Sequence, residues 1–183
     1  MRLRFLALLA ALAGAPLLTA CDDNSFLGEL VLSADTATIG LPGSAQGSAL
    51  DLVRATSGAR LIRRPERVED SEQWDVSLRR AESGALVLRP FDPSASQTGG
   101  AGIAVAPANF DAIDEAPRGT SSYAQEDVPA TPNAVYFVRS RAFSGVCYKY
   151  AKLKVLEADA AAGTARLAMV INEGCDDERL ADD

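Results

Sequence analysis

Two runs near the end of the chain decide the fold: CYKYAKLKVL at residues 147–156 and TARLAMVIN at residues 164–172. Both are rich in the aliphatic, β-branched and aromatic residues that favour strands, and a turn at residues 157–163 separates them. An antiparallel alignment puts the apolar residues of both runs on one face. A slip of one residue would move them to the other face, so the pattern specifies the register. The facing pairs are Val155 with Leu167, Leu153 with Met169, and Ala151 with Ile171.

The same register aligns two cysteines. It places Lys149 opposite Glu173, a pair of opposite charges, and Cys147 opposite Cys175. Facing residues in an antiparallel pair lie about 4.5–5.5 Å apart, within disulfide range, so we predict a cross-strand disulfide worth about 3–4 kcal/mol. Two free thiols or a metal site are the alternatives. Zinc usually takes four Cys or His ligands, and because the chain has no histidine and three cysteines, we predict no metal site.

The rest of the chain is built of short extended segments separated by turns. At residues 74–79 apolar and polar residues alternate, as in a half-buried strand, and Ser83-Gly84 turns the chain into a partner strand at residues 85–89. These features predict an all-β, mainly antiparallel fold with long loops and little helix. Further strands are predicted at residues 49–53, 59–63, 102–106 and 134–140, a helical turn at 110–113, and irregular excursions at 92–102 and 115–133.

The first residues have the pattern of a bacterial lipoprotein signal. Arg2 and Arg4 precede an apolar stretch, Phe5 to Leu18, which is too short to span a bilayer. Leu18-Thr19-Ala20-Cys21 has the lipobox pattern, in which Cys21 receives lipid, palmitate included, and becomes the new N-terminus. An ordinary signal peptide with a chance cysteine is the alternative. We predict a signal peptide at 1–20, a lipidated cysteine and tether at 21–30, and a single β domain at 31–183.

This organisation predicts a protein of the bacterial cell envelope, anchored to a membrane by lipid and facing the periplasm or the cell surface. Removal of the signal peptide takes two arginines and no acidic residue, so the formal charge of −7 becomes −9. An acidic chain does not favour nucleic acid as a partner, because the phosphate backbone binds to basic surface patches. The membrane is the expected partner through the anchor, together with haem or a protein as candidate partners.

Four segments together resemble the HmuY-like lipoproteins of bacteria. Val135-Tyr136-Phe137-Val138-Arg139 followed by Tyr150-Ala151-Lys152-Leu153 is similar to the C-terminal signature of that family. Trp74-Asp75-Val76-Ser77-Leu78-Arg79 looks like its central segment, and Ala49-Leu50-Asp51-Leu52 with Ser57-Gly58 like its opening strand and turn. The resemblance implies an all-β lipoprotein exposed on a membrane. In the best-known members it also implies haem capture for iron supply.

The ligands that would hold haem iron do not carry over from that family. Some members use two histidines and others methionines, whereas this chain has no histidine, and Met169 is its only methionine beyond the signal peptide. Tyrosine can also bind haem iron. We expect Tyr123, in the long excursion, to be the most exposed tyrosine. Tyr123 and Met169 are therefore the candidate ligand-binding residues, with core packing as the alternative for Met169.

Catalysis has little support in the sequence, and we expect no enzyme. Without histidine the chain cannot form a Ser-His-Asp or Cys-His arrangement. Asp35-Thr36-Ala37 resembles part of an aspartic-protease motif but has no second segment, so we predict a turn there; Asp176-Asp177-Glu178 is predicted to be a solvated acidic tail. Two hypotheses remain. One is a ligand-binding module for haem or another small hydrophobic cofactor, and the other is a structural or protein-interaction lipoprotein with no small ligand.

Overall fold

The computed structural model describes residues 30–53, 62–93, 99–107 and 109–182. The predicted signal peptide, Cys21, nearly all of the tether and the turn at Ser57-Gly58 lie outside these residues. Within them, no helix has the length and apolar character needed to cross a membrane.

The described residues form two five-stranded antiparallel sheets, which confirms the predicted all-β class. The first sheet has the strand order β1-β10-β9-β8-β6 and the second has the order β3-β2-β4-β5-β7. Short 3-10 helices occur at Val68–Asp70, Phe110–Ala112 and Thr120–Ser122. The strands are β1 (Leu32–Gly40), β2 (Ala49–Leu50), β3 (Ile62–Arg63), β4 (Val76–Arg80), β5 (Leu86–Pro90), β6 (Gly102–Val105), β7 (Val128–Pro129), β8 (Val135–Arg139), β9 (Tyr150–Asp159) and β10 (Thr164–Asn172).

The hairpin of β9 and β10 has the predicted register. Leu153 faces Met169, and the pairs on either side of them follow the same alignment. Beyond Leu167 the register shifts, because Arg166 faces Glu157 and Leu156 is an extra residue in β9. Such a bulge lets both strands continue, so β9 extends to Asp159 and the connecting turn is shorter than the sequence suggested.

The two sheets pack face to face around one apolar core, which we call the central core. Alternate residues of every long strand point into it, as the two-residue period of a strand requires. The outward-facing residues of β4 are therefore the polar ones that the alternating pattern at 74–79 identified. The largest fully buried side chains of the central core include those of Ile39, Leu50, Leu78, Leu88, Ile103, Leu153, Leu167, Met169 and Ile171.

The prediction of a turn at Asp35-Thr36-Ala37 was wrong. These residues lie in the middle of β1, which pairs with β10 along its whole length at the edge of the first sheet. Asp35 and Thr36 are exposed, whereas Ala37 and Ile39 reach the central core. Because only the end of this edge strand is buried, its sequence lacks the regular alternation that would have identified it.

The excursion at 115–133 is irregular, as predicted, but it is also packed onto the sheets. Its residues Val128–Pro129 form β7, the edge strand of the second sheet, and Ala124 bridges to Ile103 of β6. Tyr123 is buried on the outer face of the first sheet. The excursion therefore connects the edges of both sheets.

The acidic segment near the C-terminus is not a solvated tail. Leu180 is buried on the outer face of the first sheet, and its backbone N–H donates to the carbonyl of Asp114. Asp177 is also buried and forms an ion pair with Arg179, whose hydrogen bonds to the carboxylate hold the pKa of Asp177 below its usual value. Ion pairing and backbone bonding thus let this charged segment pack against the sheet.

The predicted disulfide between Cys147 and Cys175 is present, with the two Cα atoms 5.3 Å apart. Beside it, Lys149 and Glu173 form the expected ion pair, and both side chains are almost fully buried. The bridge therefore closes the hairpin at the end opposite its turn.

Removal of the disulfide should lower the free energy of unfolding. The bridge closes a loop with a sequence separation of 28, for which loop-closure entropy predicts a loss of about 3–4 kcal/mol. The measurement is urea unfolding of the Cys147→Ser/Cys175→Ser double variant against the wild type. Wild-type protein treated with a thiol reductant is the matched control and should lose the same amount. Equal stability of all three samples would contradict the prediction.

Candidate functional site

Tyr123 is not the exposed residue that the sequence suggested. Its side chain is 7% exposed, and its hydroxyl donates a hydrogen bond of 2.9 Å to the carbonyl of Pro117. Burial raises the pKa of the phenol well above its ordinary value, and the nearby ring of Tyr150 adds to this effect. A buried, protonated phenol whose proton is already donated is a poor iron ligand.

Met169 packs in the central core opposite Leu153 and is 2% exposed. The core-packing alternative is therefore confirmed for this residue. Tyr123 belongs to an apolar cluster on the outer face of the same sheet. The two candidate ligands thus lie on opposite faces of the first sheet and cannot flank one haem.

The remaining tyrosines do not supply an iron ligand either. Tyr136 is buried and donates its hydroxyl proton to the carbonyl of Pro129, while Tyr150 is buried with a raised pKa. Tyr148 is half-buried, and its ring stacks on an arginine. The part of the chain that the structure describes contains no cluster of metal-ligating residues. The residues present therefore do not fit haem held through its iron.

Arg139 lies at the centre of a layer of aromatic residues on the outer face of the first sheet. Its guanidinium carbon is 4.6 Å from the ring centre of Tyr148 and 5.5 Å from that of Tyr123. Its Nη2 donates to the carbonyl of Gly100, and its side chain is 5% exposed. Cation–π contacts thus replace a carboxylate partner, since no described residue forms an ion pair with Arg139. Arg139 and these rings are enclosed. They hold the first sheet, the loop that contains Gly100 and the excursion at 115–133 together.

A second group of charges joins the two sheets. Asp51 is fully buried and accepts hydrogen bonds from Arg63 Nε at 3.0 Å and from Arg141 Nη2 at 3.1 Å. Asp75 is also fully buried and accepts from the backbone N–H groups of Leu52 and Arg141, each at 2.7 Å. Arg141 Nη1 lies 3.0 Å from Asp75. One guanidinium that follows β8 is therefore shared by two carboxylates of the second sheet.

The pKa of Asp75 is raised, chiefly because burial penalises its charged form, and the neighbouring charge of Asp51 adds to the shift. The charge of Arg141 opposes this. A carboxyl whose folded pKa is raised contributes fully to stability below its unfolded pKa, and the contribution is lost as the pH rises through the folded pKa. With no exposure to solvent, neither carboxylate can act on a substrate, so we assign this cluster a structural role.

The outer face of the second sheet carries an open polar pocket. We consider this pocket the candidate functional site. Arg79 on β4 and Arg89 on β5 project from this face and line a pocket of about 470 Å³. We call it the Arg79 pocket. Its other lining residues are Trp74, Pro90, Asp92, Gln125 and Asp127.

The two arginines of this pocket differ in their partners. Arg89 donates two hydrogen bonds of 2.7 Å to the carboxylate of Asp127, and these bonds hold the pKa of Asp127 below its usual value. Arg79 has no ion pair among the described residues, and its Nε atom is buried without a hydrogen-bond partner. Burial and the neighbouring charge of Arg89 lower the pKa of Arg79. The charges of Glu66 and Asp127 oppose that shift, so the two arginines differ in having or lacking a direct ion pair.

Sequence reasoning placed Arg79 on the polar face of its strand but did not identify it as a site residue. The alternation at 74–79 separated Asp75, Ser77 and Arg79 from the core residues. It could not show that Asp75 and Ser77 are fully buried on that face. The available signal was the presence of three polar residues, two of them charged, on one face of a single strand.

Comparisons with known proteins add no assignment to this geometry. No protein-family model, no curated protein and no solved structure matches the chain significantly.

Replacing Asp51 by alanine should destabilise the protein by about 3–5 kcal/mol, because it leaves two buried guanidinium groups without this carboxylate. Urea unfolding at neutral pH measures the effect. Glu157→Ala is the matched control, since it breaks an exposed pair with Arg166 and should change stability little. If the two variants were equally stable, the carboxylate network would not hold the sheets together.

Titration of the full-length chain in detergent with haem should give no new Soret band from a protein ligand. Tyr123→Phe and Met169→Leu should leave the spectra in both oxidation states unchanged, because neither side chain is accessible to iron. A histidine-ligated haem protein under the same conditions is the positive control. A saturable shifted band that one of these variants abolishes would contradict this prediction.

Proposed function

We propose that this chain is a lipid-anchored binding protein of the bacterial cell envelope, built on a HmuY-like β scaffold, that holds a small polar ligand in the Arg79 pocket. The observation that carries the proposal is the unsatisfied Arg79 in an open pocket on the outer face of the second sheet. Pockets that combine a few fixed polar groups with an apolar or aromatic wall are typical ligand sites.

The lipobox at residues 18–21 supports export and anchoring. The disulfide between Cys147 and Cys175 is consistent with that location, because disulfides persist in oxidising compartments outside the cytoplasm. A short tether between Cys21 and the first strand would keep the binding domain close to the membrane that carries the anchor.

Binding is favoured over catalysis and over haem capture by the chemistry of the side chains. The buried carboxylates Asp51 and Asp75 are bonded to arginines and have no exposure to solvent. Tyr123 and Met169 are enclosed, so haem iron would find no ligand there. The Arg79 pocket, by contrast, is open and is lined by an arginine that forms no ion pair among the described residues.

The alternative function is an interaction protein of the envelope with no small ligand. Val105, 72% exposed at the end of edge strand β6, is the observation that favours it. Together with Pro107 and Val135 it lines a groove of about 580 Å³, to which Asn109 and Asn133 add polar surface. Apolar surface at the edge of a sheet is typical of protein contacts.

Substitution Cys21→Ala should abolish lipid attachment. In bacteria expressing the full chain, incorporation of labelled palmitate should fall to background and the protein should leave the membrane fraction, because no other thiol lies at a lipobox. The Cys147→Ser/Cys175→Ser variant is the matched control and should keep its label. Label retained by Cys21→Ala would contradict the proposed anchor.

A further inference from the structure

Arg79 has a donor that no part of the described protein uses. It lies on β4, opposite Val87 of β5, with its side chain half-buried on the outer face of the second sheet. Its Nε atom is buried and has no hydrogen-bond partner. Leaving a buried donor unpaired costs about 1–3 kcal/mol, and more when the group is charged. The side chain of Arg79 also lines the Arg79 pocket, where the accessible part of its guanidinium can meet a ligand.

A second unpaired group lies on the same face of the strand. Ser77 is fully buried, faces Arg89 across the strand pair, and its hydroxyl has no hydrogen-bond partner among the described residues. Buried polar groups without partners are uncommon in folded proteins and indicate a ligand, an ion or water. Ser77 therefore lies two residues from Arg79 on the same strand face, and its strand partner Arg89 lines the pocket.

The charge balance of the pocket indicates what kind of ligand it takes. The charge of Arg89 is compensated by Asp127 through two hydrogen bonds of 2.7 Å. Arg79 forms no ion pair among the described residues; burial and the charge of Arg89 lower its pKa, while the charges of Glu66 and Asp127 oppose this shift. A negative group placed at Arg79 would therefore gain a charge-assisted hydrogen bond and relieve the repulsion between the two arginines.

We propose that the Arg79 pocket binds the oxyanion group, carboxylate or phosphate, of a small polar molecule, with Arg79 as its principal partner. This inference rests on the proposed function and specifies the ligand class. Asp92 and Gln125, at the exposed side of the pocket, can bond hydroxyl or amine groups on the rest of the molecule. The volume of about 470 Å³ suits a small metabolite.

Trp74 provides a direct measurement, because it is the only tryptophan of the chain and lines this pocket. The full-length chain in detergent is titrated with sodium citrate, sodium phosphate or a neutral hexose, at ionic strength held constant with sodium chloride. We expect a saturable change in tryptophan fluorescence with citrate or phosphate, and the stronger of the two identifies the source of the oxyanion. In Arg79→Gln the apparent affinity should fall about tenfold or more, as expected for loss of a charged hydrogen bond.

Two further variants keep the test decisive. Arg79→Lys retains the charge but loses the planar guanidinium, and should weaken binding less than Arg79→Gln; it also replaces that variant if the glutamine substitution prevents folding. Arg166→Gln removes an exposed arginine of the first sheet that pairs with Glu157, and should bind as the wild type does.

The outcomes separate this inference from the proposed function. A response to the hexose but to neither anion would overturn the oxyanion inference and leave a binding protein in place. No response to any probe, with Arg79→Gln unchanged in stability, would overturn both. A response to anions that Arg79→Gln and Arg166→Gln both preserve would overturn the assignment to Arg79.

Discussion

The structure depends on a guanidinium shared between two buried carboxylates. Arg141 follows β8 of the first sheet, whereas Asp51 directly follows β2 and Asp75 directly precedes β4 of the second. Charges removed from water are costly unless they are paired and fully bonded, so these three groups stay together or the sheets separate at this end. Asp75 also accepts the backbone N–H of Leu52, which fixes β4 against the chain that continues from β2. The strand that carries Arg79 is therefore held at its beginning by this network.

That constraint explains why the open polar site lies on the outer face of the second sheet. With β4 fixed at Asp75, the two-residue period of a strand sends Val76 and Leu78 into the central core and Ser77 and Arg79 to the opposite face. On the first sheet the outer face is instead covered by the excursion and the C-terminal segment, which enclose Arg139. The two outer faces thus differ in access, and within the described ranges the second presents an arginine without an ion pair beside a pocket.

The parts of the fold that the sequence predicted are those in which neighbouring strands have matched patterns. The apolar residues and cysteines of 147–175 define one register, and the structure has that register and the disulfide at its end. Strand β1 and the bulge at Leu156 were not predictable, because an edge strand is only partly buried and a bulge leaves no periodic signal. The burial of Tyr123 depends on contacts between segments far apart in sequence. Composition and local sequence pattern therefore could not predict that Tyr123 is buried.

The residues on which the expected resemblance to HmuY-like lipoproteins rests hold this scaffold together. Asp51 and Asp75 form the network between the sheets, Arg139 is enclosed by aromatic rings, and Leu153 packs in the central core. A resemblance in such residues concerns the scaffold, because packing and charge pairing decide which residues can stand at these positions. It does not extend to the ligand, which depends on the side chains of an outer face or a loop. The proposed HmuY-like scaffold and the proposed binding at Arg79 are therefore compatible, because they rest on different residues.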